Sequence, residues 1–166
     1  AYTQGFHPQP RLAFATPQPT GMEAWNELGD IALCEDLAPE EFVRRLNAVA
    51  PDGVIVESAE ERPLEAPSLM SLVIAAEYEA TLAMDPADAA ARIDAFLAKE
   101  THPVTRKTKD GDKTVDARAM VETLEAEADT SGVVVRMRLV DRPGTKGRPG
   151  EVLVAVFGED CVAKVR

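Results

Sequence analysis

Only two cysteines and two histidines occur among the 166 residues. Cys34 and Cys161 are far apart and have no clustered histidine beside them, which excludes a disulfide framework, a zinc site and an iron–sulfur cluster and leaves two ordinary reduced thiols. Long apolar runs are missing as well. Nothing approaches the ~18 uninterrupted apolar residues of a membrane helix, and no basic start followed by an apolar segment marks a signal peptide, so the chain is expected to be cytoplasmic and free of membrane. The GxxxxGK[ST] order of a Walker A loop is absent. Basic residues are few: 18 Lys and Arg stand against 29 Asp and Glu, a net charge of −11 that argues at first sight against nucleic acid.

What is present is a globular composition, 45% hydrophobic and 28% charged, long enough for one good core or two small ones. The charge is uneven. Residues 1–100 carry 6 Lys and Arg against 18 Asp and Glu, a balance of −12, whereas residues 101–166 carry 12 against 11, a balance of +1. A local basic surface can therefore exist on an acidic molecule, with the remaining field lowering affinity for phosphates.

The opening, AYTQGFHPQPRLAFATPQPTG, holds Pro8, Pro10, Pro17 and Pro19 beside Phe6, His7 and Arg11. Each proline fixes φ and extends the residue before it, so FHPQP is a stiff segment that either presents His7 and Arg11 or plugs the end of a sheet with Phe6. RLAFA is expected to pair as a strand. WNELGDIALCE reads as a partly exposed strand, and a helix follows from Pro39 with Phe42, Val43, Leu46 and Val49 on one face. Glu40–Arg44 and Glu41–Arg45 are expected as i,i+4 pairs on its wet face. VIVES reads as a further strand.

Two prolines and three glutamates in residues 59–68 mark a linker. The expected organisation is an incomplete first half over 1–60, a linker over 61–68 and a complete second half over 69–166. LMSLVIAAEYEATLAM alternates so that Leu72, Ile74, Ala76, Tyr78, Ala80 and Leu82 share a buried strand face. Asp85 caps the next helix, Pro86 starts it, and Ala90, Ile93, Phe96 and Leu97 form its apolar stripe. TRKTKDGDKTVDAR reads as a hairpin turning at Asp110-Gly111. In LEAEADTSGVVVRMRLV a second hairpin turns at DTSG, with Ala128 facing Val133 and Glu125 pairing with Arg136. GRPGEVLVAVFG gives a helix between Pro149 and Gly158, and CVAKVR a last strand.

The fold class expected is α+β, with tandem ferredoxin-like halves. The second reads β–α–β–β–β–α–β, one strand more than the usual four, and the first lacks the strand and helix that should precede it. The alanine at position 1 is compatible with processing or a fragment.

Three basic elements are candidate nucleic-acid contacts: His7 with Arg11; the hairpin residues Arg106, Lys107, Lys109, Lys113 and Arg118; and Lys146 with Arg148 in the loop RPGTKGRPG, where backbone N–H groups at a helix start attract anions. Each has an ordinary alternative. Lysine on an edge strand discourages aggregation, Gly-Pro pairs are common in connectors, and the hairpin has no aromatic residue on which a base could stack.

GFHPQPRLAFATPQPTGMEA resembles the Gly-Phe-Asn-Pro-His-Pro-Lys-x-Ser-Phe signature of the radical SAM-linked protein family. APEEFVRRLNAVAPDGVIV resembles that family's next block, KTVDAR its Asp-Ile-Arg segment and GRPGEVLVAVFG its Arg-Pro-x-Glu-Val-Leu helix, so the similarity covers nearly the whole chain. His7 and Gln9 stand where the family has asparagine and histidine, and a role tied to that histidine does not carry over. Members usually begin with a strand and a helix carrying Ser-His-Leu-Asp, which this chain lacks. The resemblance implies a bacterial domain of unknown function, fused to or encoded beside a cobalamin-binding radical SAM protein as its partner. No CxxxCxxC occurs, so the chain is not itself the radical enzyme, and no cofactor is expected.

Together these features lead to the expectation of a non-catalytic accessory module that binds structured RNA for a radical SAM RNA-modification partner. The alternatives are a protein-interaction scaffold whose acidic first half, around Glu35, Glu40 and Glu41, docks the partner enzyme, and an RNA-processing enzyme using His7 as acid or base.

Overall fold

Prolines, short alternating runs and one long β-rich stretch sort the chain into two compact units, Ala1–Leu72 and Val73–Arg166, in a computed structural model that describes residues 1–4, 6–17, 22–142 and 144–159. Its class is α+β with antiparallel pairing throughout the described sheets. None of the described helices is long and apolar enough to cross a membrane.

In the first unit, RLAFA and the segment around Gly29 are too short for more than a small ladder. β1 (Leu12–Phe14) pairs with β2 (Gly29–Ile31), Leu12 opposite Ile31 and Phe14 opposite Gly29. Two further backbone bonds, Ala15 N–H to Leu28 O at 2.8 Å and Ala32 N–H to Arg11 O at 2.9 Å, extend it. Helix α1 (Pro39–Asn47) begins at its proline, but Phe42, Val43 and Leu46 are only half-buried, and Val49, beyond its end, is 77% exposed. Glu41 gathers both arginines, Arg44 at 2.6 Å and Arg45 at 2.8 Å. Their hydrogen bonds, Arg44's first, draw its carboxyl down to about 2. The expected Glu40–Arg44 pair gives way because Arg44 binds Glu41 with two nitrogens at once.

VIVES does not form a strand. The Asn47 side chain donates to Val56 O at 2.9 Å and accepts from Val56 N–H at 2.8 Å, using the groups a ladder would need, while Val54 and Ile55 lie exposed. A strand–helix–strand half is therefore not what these residues build. Arg62, in the segment read as a linker, donates to Asp30 at 2.7 Å, and Leu69 N–H donates to the same carboxylate at 3.2 Å. The Arg62 bond is the main reason the Asp30 carboxyl is lowered. A single turn, α2 (Leu69–Leu72), ends the unit.

The second unit runs β3 (Ala75–Leu82), α3 (Pro86–Leu97), β4 (Pro103–Thr108), β5 (Gly111–Asp116), a 3-10 turn at Arg118–Met120, β6 (Val121–Asp129), β7 (Gly132–Arg142), β8 (Thr145–Lys146) and α4 (Pro149–Phe157). β7 is central, with β3 and β6 on either side and β8 on its last residues. Leu82, Leu124, Val133, Val135, Met137 and Leu139 of the sheet pack with Ile93 and Phe96 of α3 and with Val152, Leu153 and Phe157 of α4. Asp85 caps α3 by accepting from Ala87 N–H at 2.8 Å and Asp88 N–H at 3.3 Å. The stripe of α3 runs through Ala89, Ile93 and Phe96, with Ala90 turned outward. Leu72 and Ile74 precede β3 and are exposed, since the strand begins only at Ala75.

The hairpin register of β6 and β7 follows the alternation in the sequence, with Ala128 opposite Val133 and Glu125 opposite Arg136. The ion pairs differ. Arg136 binds Glu79 at 2.9 Å and Glu127, because an arginine on a central strand has carboxylates on both flanks and reaches its diagonal neighbours as readily as the residue opposite. Likewise Arg138 binds both Glu77 and Glu122 at 2.8 Å.

The β4–β5 hairpin forms its own two-stranded ladder and adds no strand to the main sheet. Its turn is Lys109-Asp110, closed by Thr108 opposite Gly111, whose φ of +112° suits glycine alone. A four-strand plait would need another strand beside β3; the segment read as that strand, 161–166, lies outside the described residues, as does Cys161.

Candidate functional site

Alternation along the hairpin decides which of its cations meet the rest of the unit. Val104, Arg106, Lys113 and Val115 lie on one face, while Thr105, Lys107, Asp112 and Thr114 lie on the other. The loop after β7 folds back through β8, where Lys146 pairs with Asp141 and Thr145 with Arg142. Gly147 permits this, since a Cβ there would stand 2.6 Å from the Leu139 Cβ. The hairpin and this loop thus line one cleft of about 170 Å³, with Arg106, Lys113, Asp116, Met120, Thr145 and Lys146 among its walls.

Several of the cations are already engaged. Arg106 donates to Glu151 from Nε at 2.9 Å and from Nη2 at 2.6 Å, and its Nη2 also reaches Lys146 O at 2.8 Å. Its side chain is 12% exposed and that of Glu151 is 20% exposed, so the pair holds the hairpin against α4 and the returning loop. Arg148 touches Glu151 at 3.4 Å, and Lys146 Nζ binds Asp141 at 2.9 Å. Arg118 is turned to backbone, donating to Leu97 O at 3.3 Å and Val121 O at 3.2 Å. Asp116 accepts from His102 N–H at 2.8 Å and Arg118 N–H at 3.0 Å. These bonds, that of His102 foremost, hold its carboxyl below the usual range.

Lys107, Lys109 and Lys113 are exposed and, among the described residues, no carboxylate lies within ion-pair distance of them. Lys113 sits at the cleft, Lys109 at the turn and Lys107 on the outer face. The open side of the main sheet offers no comparable site, because its arginines are matched by Glu77, Glu79, Glu122 and Glu127 and Tyr78 turns to the core.

In the first unit the opening is a built loop. Tyr2 and Pro10 form a bridge, Thr3 N–H donates to Gln9 O at 2.8 Å, and Gln9 N–H donates to Thr3 Oγ1 at 3.0 Å. Phe6 lies fully in solvent and His7 is exposed near its tip, so Phe6 plugs nothing within the unit. Arg11 is exposed and borders a shallow recess with Tyr2, Thr3 and Gln4. No described side chain bonds the His7 or Arg11 side chain.

A family model described as an uncharacterized protein conserved in bacteria (DUF2344) matches residues 1–149. The chain belongs to this family. No curated protein and no solved structure matches it. Within this DUF2344 chain, sequence reasoning missed His102, whose ring lies 5.4 Å from that of Phe96 and whose Nδ1 is 3.1 Å from Lys99 Nζ. A lone histidine immediately before a hairpin carries no spacing that would single it out. It also missed Glu151, which reads as an ordinary first-turn acid of α4.

Proposed function

We propose that this chain is a non-catalytic accessory module that contacts structured RNA for a radical SAM RNA-modification partner, the kind of partner that its resemblance to the radical SAM-linked protein family implies. One observation carries the reading: in the second unit the basic hairpin and the basic loop, distant in sequence, line one cleft, and Lys113 at that cleft, Lys109 at the turn and Lys107 on the outer face have no carboxylate within ion-pair distance among the described residues. Phosphate oxygens are the anions such ammonium groups bind as point charges. Arg106, Arg118, Lys146 and Arg148 serve this reading as framework and rim, while His7 and Arg11 would add a contact from the first unit. The contact is to backbone and shape, since the hairpin carries no stacking ring.

The same reading takes the second unit as a ferredoxin-like plait. The order β3-β7-β6 with helices α3 and α4 packed against the sheet supports it.

Salt titration tests the RNA contact. A hairpin RNA should bind at low ionic strength, and changing Lys107, Lys109 and Lys113 together to glutamine should flatten the slope of log K against log salt by about 2 to 3, at roughly 0.7 to 0.9 per phosphate contact. Absence of binding at low salt, or an unchanged slope, would remove the proposal.

A further inference from the structure

The two units differ in where their apolar side chains lie. Among the described residues, sixteen of the seventeen buried apolar residues belong to the second unit, whereas fifteen of the sixteen exposed large ones belong to the first. Part of that exposed surface is ordered. Leu12 faces Ile31 across the β1–β2 ladder and Phe14 faces Gly29, so Leu12, Phe14 and Ile31 share one face at 49%, 42% and 41% exposure. The Phe14 ring covers Gly29 so closely that an added Cβ would lie 3.3 Å from it. An isolated pair of strands is marginal in water, and one with an apolar face gains most when something covers that face.

Charge selects the cover. Residues 1–72 hold 12 Asp and Glu against 4 Lys and Arg, a balance of −8. Arg44, Arg45 and Arg62 are already bound to Glu41, Glu35 and Asp30. Nine carboxylates then stand without a cationic partner among the described residues, Glu23, Glu27 and Asp36 close to β2 in sequence among them. A second copy would set like charge against like, which costs association energy. An apolar stripe flanked by Lys and Arg would satisfy both the face and its surroundings.

We propose that the Leu12–Phe14–Ile31 face of the first unit docks an amphipathic helix of a protein partner whose apolar stripe is flanked by lysine and arginine. The proposal does not rest on the RNA reading, which concerns other residues in the other unit.

The test uses the full chain and two synthetic amphipathic helices, one of leucine and lysine and one of leucine and glutamate with the same stripe. Fluorescence anisotropy of the labelled peptides should show binding of the lysine helix only, and amide exchange at Ala13 and Asp30 should slow when it is added. Leu12→Lys, a change at an already half-exposed position, should weaken binding by about tenfold or more, whereas Leu64→Ser, elsewhere in the unit, should leave it unchanged. The unmodified chain keeps the proposal falsifiable if a variant unfolds. Equal binding of both peptides, no slowing of exchange at Ala13 and Asp30, or concentration-dependent dimerisation without peptide by sedimentation would overturn it.

Discussion

Removing the Glu151 carboxylate would leave the Arg106 guanidinium, 12% exposed, without its two-nitrogen partner. A charge left unpaired in such a place is costly, and Glu151→Ala should lower stability by about 2–3 kcal/mol in urea unfolding, with Arg106→Met costing less. Asp116 gives a pH signature. Its folded pKa lies below the ordinary 3.8, so its stabilisation is complete above about pH 4 and is lost as pH falls through the depressed folded value. Asp116→Asn should therefore melt below the parent at pH 7. The gap should narrow under about pH 4 and close at lower pH, as differential scanning calorimetry would register.

At the scale of elements, glycines separate close packing from open space. Gly147→Ala would drive a Cβ to 2.6 Å from the buried Leu139 and should cost about 1–3 kcal/mol as the loop after β7 is pushed outward. Gly150→Ala meets nothing within 4 Å and lies inside α4, so it should be neutral or stabilising by up to about 0.5 kcal/mol. Thermal melts of the two variants decide both.

Elements with a local signal were legible in the sequence. Proline starts of α1, α3 and α4, the Asp85 cap and the register of β6 with β7 all follow from propensity, capping and period-two alternation. What depends on distant partners was not. Whether Val54 and Ile55 join a sheet depends on an edge being offered, and Asn47 occupies the backbone groups at that point. The candidate site was legible as a set of cations, but nothing local distinguishes Arg106, held by a residue 45 positions away, from Lys113, held by none among the described residues. A bulge between Val121 and Thr123 likewise shifts the register without a glycine to announce it.

At the scale of the molecule, the contrast between a filled core and a bare ladder predicts unequal protection. In amide exchange on the intact chain, β3, β6 and β7 should exchange only with global opening of the second unit, and β1 and β2 should exchange orders of magnitude faster. Comparable protection in both units would contradict the distribution of burial described for them.

Every described strand of the main sheet hydrogen-bonds to β7, and β3 reaches it over a long separation in sequence, 57 positions from Glu79 to the opposite Arg136. As the chain leaves the ribosome, β3 and α3 must wait, unpaired, until β7 has emerged. The apolar residues of β3 are the ones a nascent-chain chaperone would find, and a translational pause before Gly132 would lengthen that vulnerable interval.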